Sequence, residues 1–139
     1  MRKVFLVLAG LMLFTTAALL FFAGVGAFDS APRTEAFEPH RLLGRGLFVV
    51  SVLAIVVAAL ARLPGRLIGL TALITGLVFL QSLIAVLSRA FEDQSTATGA
   101  LVFGLHAVNG LVTMGVARVV FARARNLTSA PEPAAVATS

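Results

Sequence analysis

Polar residues interrupt this chain in only three places between long apolar runs. The runs extend over about residues 4–26, 42–61, 67–88 and 99–122. A helix needs about 20 apolar residues, rising 1.5 Å each, to cross a hydrocarbon core of roughly 30 Å. Each run meets that length, so the expected fold is an all-α membrane protein. Four transmembrane helices would form an antiparallel bundle, in one domain over residues 1–125. Met1, Arg2 and Lys3 precede the first run, and Val25-Gly26-Ala27 resembles a signal cleavage site. The apolar core of a signal is only about 7–15 residues, so an uncleaved first span is expected.

The polar stretches set the helix limits. Phe28 to Arg41 contains Asp29, Pro32, Arg33, Glu35, Glu38 and Pro39. Glu38-Pro39 is a helix-start signal, because proline suits the first helical turn and a carboxylate there complements the helix dipole. His40 then falls in the first turn of the second span. Arg45 lies just inside that span and can snorkel to the headgroups. Arg62 to Arg66 is a tight turn broken by Pro64-Gly65. Gly69, Ala72 and Gly76 share one face of the third span and suit close helix packing. Arg89 to Thr98, with Glu92 and Asp93, is the second polar connection. Residues 126–139 are rich in Ala, Pro, Ser and Thr and read as a disordered cytoplasmic tail.

Composition supports the membrane reading. Charged residues make up 12% of the 139-residue chain and hydrophobic ones 59%; soluble domains carry about 25% charged residues. The lack of cysteine excludes disulfides, thiolate metal sites and thiol nucleophiles. The net charge of +5 is not a nucleic-acid signal, because the basic residues flank apolar runs. Seven of them (Arg2, Lys3, Arg62, Arg66, Arg118, Arg123, Arg125) fall at one end of the spans. Four (Arg33, Arg41, Arg45, Arg89) fall at the other. The positive-inside rule counts these residues and puts both termini in the cytoplasm. Arginine outnumbers lysine ten to one beside abundant Ala, Val and Gly. That usage fits a GC-rich bacterium and hence a bacterial plasma membrane.

Two histidines carry the candidate chemistry. His106 sits in the apolar fourth span beside Asn109 and Gly110, and His40 heads the second span with Gly44 four residues later. Polar side chains in hydrocarbon are costly and usually face the bundle interior. His106, Gly110, Thr113 and Ala117 share one helix face, and His40, Gly44, Leu47, Ser51 and Ala58 trace a comparable one. Each glycine leaves a flat slot beside its imidazole. A haem held by two axial imidazoles needs such slots, and ligand sites in bundles lie between facing helices. Blander uses exist. His40 suits an interfacial position satisfied by headgroups and water. His106 suits a hydrogen bond between helices, to Gln81, Ser82 or Asn109. Two histidines are too few for structural zinc, which takes four ligands, and Glu35, Glu38, Glu92 and Asp93 read as solvated loop acids. His40 precedes Arg62 by 22 residues, and His106 precedes Arg123 by 17. At 1.5 Å per residue these are about 33 and about 25 Å, so His106 is expected to lie deeper. No Ser-His-acid arrangement, phosphate-binding glycine loop, acid within a span or continuous polar stripe is visible. Those features argue against a hydrolase, a carboxylate-coupled transporter and a channel.

A shift of 66 positions aligns Gly10-Leu11 with Gly76-Leu77, Thr15-Thr16 with Gln81-Ser82, and Phe37 with Phe103. It also aligns His40 with His106 and Gly44 with Gly110. A tandem repeat of two helical hairpins would produce this pattern.

At His40-Arg41 and Gly44, and at His106 and Gly110, the chain resembles two families. Over nearly its whole length to Asn126 it is similar to a family of small four-span membrane proteins, common in actinobacteria and of unknown function. That resemblance implies the fold. It also resembles one four-helix half of the haem A synthase family, whose histidines on the second and fourth helices ligate haem. There the first histidine follows a glutamate at the position of Phe37. Phe37 at that position puts oxidase chemistry in doubt and leaves bis-histidine ligation as what the likeness implies. Two functions follow as expectations. One is a structural or accessory membrane protein, more a scaffold than an enzyme, packing against itself or other membrane proteins within the lipid bilayer. The other is a haem-b-binding, cytochrome-like module near the outer leaflet, with His40 and His106 as axial ligands and Gly44 and Gly110 beside them.

Overall fold

The computed structural model describes residues 1–89 and 97–129 of the chain. Five helices follow in order: α1 (Arg2–Phe28), α2 (Arg33–Ala36), α3 (Glu38–Leu60), α4 (Gly65–Arg89) and α5 (Ala97–Ser129). All but the single turn of α2 are long and apolar enough to cross a membrane, with mean hydropathy of 2.5, 2.4, 2.2 and 1.6 in their most apolar windows.

The side-chain distribution decides which solvent these helices meet. On α1, Phe5, Ala9, Met12 and Thr16 turn inward at helical spacing. Val7, Phe14 and Phe21 recur every seven residues on another face and are 68%, 71% and 65% exposed. Only 17–28% of each span's most apolar window is buried within the protein. Most of the apolar surface therefore faces outward, as a lipid solvent requires. The chain is a multi-pass membrane protein.

The spans form a square in chain order. α1 packs against α3 and α5, and α4 packs against the same two helices. This leaves α1 diagonal to α4 and α3 diagonal to α5. One apolar core joins Phe5, Ala9 and Met12 to Leu47, Ala54 and Ala58, to Leu67 and Ile74, and to Ala117 and Val120. The alanines of α3 and α5 let the helices close around the larger side chains of α1 and α4. Small hydroxyls complete the interior. Thr75 donates to Ser51 Oγ between α4 and α3 at 2.9 Å, and Ser51 and Thr71 return hydrogen bonds to their own helices. This satisfies polar groups that hydrocarbon cannot.

The α3–α4 turn forms as the proline and glycine predict, with one irregular position. Arg62 takes a left-handed φ of 50°. Its N–H donates to Ala59 O, and the Leu63 N–H donates to Ala58 O. These two bonds make the Schellman ending, in which a left-handed residue closes the helix. Leu63 and Ala58 are both buried, which supplies the apolar contact this ending uses.

Other features depart from the pattern-based expectation. The first polar connection contains α2, entered through an Asp29 side chain that accepts from the Ala31 N–H at 2.9 Å. Arg41 on α3 donates to the Thr34 carbonyl and ties the turn down. α2 packs over Gly26, where a Cβ would lie 2.8 Å from Ala36 O. Gly69, Ala72 and Gly76 do not pack against a helix. All three are exposed, with open space at both glycines, because Leu67, Thr71, Ile74 and Val78 form the inward stripe of α4. α5 remains helical through Ser129, beyond the expected start of the disordered tail. Leu127 still packs against the core there. The second polar connection, with Glu92 and Asp93, and residues 130–139 lie outside the described residues.

Candidate functional site

The Glu38-Pro39 signal does what the sequence predicts. α3 begins at Glu38 with proline in its first turn, and His40 enters the bundle end from there. Its Nδ1 lies 2.9 Å from the Leu19 carbonyl of α1. A carbonyl only accepts, so Nδ1 is the donor of this bond.

His106 approaches from the opposite corner. The two imidazole rings lie 6.0 Å apart between centroids, tilted by 46°. Because α3 and α5 are diagonal partners, this contact bridges the middle of the bundle rather than the seam of one helix pair. The expected depth difference is not observed at the rings. It is taken up at the other end, where α5 runs on to Ser129 and Arg123 projects from the side of the helix rather than its terminus.

A phenylalanine three residues before each histidine flanks it, as neighbours on a helix face do. Phe37 meets His40 edge-on at 6.3 Å and 83°. Phe103 stacks flat on His106 at 5.6 Å and 6°. His106 Nδ1 is buried and has no hydrogen-bond partner among the described residues. An unpaired buried polar atom costs about 1–3 kcal/mol, and no group among the described residues offsets that cost at this nitrogen.

The helix-to-helix hydrogen bonds expected of the His106 ring are made by other groups. Gln81 Nε2 donates to the backbone carbonyl of His106 at 2.7 Å. Asn109 Nδ2 donates to Gln81 Oε1 at 2.5 Å and to the Leu77 carbonyl at 2.9 Å. Ser82 bonds back to Val78 O within its own helix. Gln81 and Asn109 thus fix α4 against α5, and leave the imidazole to His40.

The two glycines differ. A Cβ at Gly44 would meet nothing within 4 Å, whereas one at Gly110 would meet Gln81 Nε2 at 3.3 Å. The slot beside His40 is open, and the slot beside His106 holds the Gln81 carboxamide. The described residues contain no cluster of three or more His, Cys, Asp or Glu able to enclose a metal ion. The pair supplies two imidazoles, with centroids 6.0 Å apart, as the candidate donors of this site.

Sequence reasoning traced the inward faces of α3 and α5 on which the two histidines lie. It missed the Leu19 carbonyl, which a sequence does not display, and the Gln81–Asn109 pair. The flanking phenylalanines had a signal in the aligned Phe37 and Phe103.

A family of unknown function, DUF6220, matches residues 20–89, half of the chain. The match runs from the end of α1 through α4 and includes His40 and Gly44, while His106 and Gly110 lie beyond it. No curated protein and no solved structure matches the chain.

Proposed function

We propose that this chain, which belongs to the DUF6220 family of unknown function, is a small multi-pass membrane protein in which His40 and His106 hold one haem iron between α3 and α5. The observation that carries the reading is the meeting of two imidazoles, 6.0 Å apart, from diagonal helices. The Leu19 carbonyl orients His40 and fixes its tautomer, the usual task of a hydrogen-bond partner behind a metal ligand. Phe37 and Phe103 hold the ring planes and exclude water. Gly44 leaves open space beside His40, and Gln81 stays bound to the His106 carbonyl and to Asn109 beside Gly110. His40 and His106 would hold a haem b, which would supply one-electron transfer when bound. The excess of basic residues at the opposite end supports both termini being cytoplasmic and the histidines lying toward the outer leaflet, and the arginine-rich composition supports a bacterial plasma membrane.

A second reading has its own support. Phe103 stacking and the Leu19 bond give each ring a protein contact without any cofactor. The pair then serves as a packing element of a structural or accessory protein. The visible spectrum of protein purified in mild detergent from haem-replete cells separates the two. A Soret band lost in both His40→Ala and His106→Ala is expected. A colourless preparation overturns the haem reading, and a band that survives both substitutions overturns the ligand assignment. A reporter fused after Asn126 is expected to read cytoplasmic.

A further inference from the structure

Arg45 poses a separate problem, independent of the histidine reading. It lies seven residues beyond the start of α3 at Glu38, about 10 Å along the axis. It is exposed on the outside of the bundle. Among the described residues it makes no hydrogen bond and no ion pair. Arg41, one turn away on the same face, spends a donor on the Thr34 carbonyl and also has no acidic partner there. From this depth the guanidinium reaches the headgroup level by snorkelling, where it finds no acidic partner among the described residues.

Beside it runs a groove of about 410 Å³ between α1 and α3, lined by Leu11, Thr15, Leu42, Arg45, Gly46 and Val49. Apart from Arg45, Thr15 supplies the only polar side chain of this wall. Gly46 borders open space in the groove, where a Cβ would meet nothing within 4 Å. An apolar furrow inside a span, ending near the headgroup level at a cation with no partner among the described residues, matches a phospholipid. The chain of such a lipid is apolar and its phosphate is an anion.

We propose that the α1–α3 groove is a binding site for an anionic phospholipid, with the phosphate on Arg45 and Arg41 and one acyl chain along Leu11, Gly46 and Val49. The fixed charge gives preference for a net-negative headgroup over a zwitterionic one, and the furrow gives affinity for the chain. Cationic pockets between membrane helices select lipids in this way.

The test uses the full chain, delipidated in detergent and analysed by native mass spectrometry with added phosphatidylglycerol or phosphatidylcholine. Phosphatidylglycerol is retained over phosphatidylcholine. Arg45→Gln weakens its retention about fivefold, the effect of one cation near an anionic surface. Gly46→Leu fills the groove and weakens retention with every charge intact. Arg66→Gln, at the other end of the bundle, leaves it unchanged. Equal retention of the two lipids, or an Arg45→Gln protein indistinguishable from Arg66→Gln, overturns the proposal. Displacement of the lipid by millimolar inorganic phosphate overturns it as well, because the site would then recognise the anion and not the chain.

Discussion

Replacing Asn109 by leucine tests whether the polar contacts between α4 and α5 set the geometry of the histidine pair. Asn109 is 8% exposed and donates to the Leu77 carbonyl and to Gln81 Oε1. Hydrogen bonds between membrane helices contribute about 0.6 kcal/mol each on average, and up to roughly 1.7. Two lost bonds therefore cost about 1.2 kcal/mol. Gln81 Oε1 is also stranded without its donor, which adds about 1 kcal/mol. Asn109→Leu should destabilise the bundle by roughly 2 kcal/mol. Titration from mild detergent into dodecyl sulfate, followed by helical circular dichroism, measures this. The stronger measurement is the cycle with Gln81→Leu. In the Asn109→Leu background Gln81 has already lost one of its two partners, so its removal should cost less than in the parent. A coupling of about 0.6–1.7 kcal/mol is expected. If Asn109→Leu is as stable as the parent, or the two substitutions add within about 0.3 kcal/mol, the carboxamides do not act as a unit. The register of α5 must then come from apolar packing alone.

Two further substitutions probe the backbone. Arg62 is the non-glycine residue with a positive φ among those described, so Arg62→Gly should stabilise the protein by about 1 kcal/mol; a loss of stability in the same titration would show that the side chain, not the backbone, fixes this turn. Gly26→Ala drives a Cβ to 2.8 Å from the Ala36 carbonyl and 3.1 Å from the Phe37 ring. It should cost about 1–3 kcal/mol, while Gly24→Ala, with open space at the same helix end, should cost nothing. Equal melting temperatures for the two alanine variants would refute the close approach of α2 to α1.

The architecture was legible because lipid imposes one rule throughout. Four runs of adequate length must be helices, since backbone polar groups in hydrocarbon have no other partner. Helix starts and stops marked by local chemistry were equally readable, as Glu38-Pro39 and Pro64-Gly65 illustrate. α2 escaped notice because a single turn carries no periodicity. It is held by the Asp29 side chain and by contact with Gly26, and the second of these depends on a residue brought near only by folding. The inward faces of α3 and α5 were readable from polar or small residues at helical spacing. The same reasoning failed on α4.

That failure shows what a span's sequence can and cannot say. Gly69, Ala72 and Gly76 look like a packing face, yet they point outward. In water an apolar stripe identifies the buried side. In lipid both sides of a span are apolar, and small residues mark only where close approach is allowed. What orients α4 is its polar content: Thr71, Thr75 and Gln81 turn inward because Leu67 O, Ser51 Oγ and Asn109 are there to satisfy them. The same argument applies to the site. His40 finds Leu19 and His106 finds His40, and neither contact could be read from residues adjacent in sequence. The two histidines were visible as residues that hydrocarbon would not otherwise tolerate. Their pairing depends on the order in which four helices close into a square. With the first and third spans on one diagonal and the second and fourth on the other, the only imidazoles in the chain fall on a common diagonal.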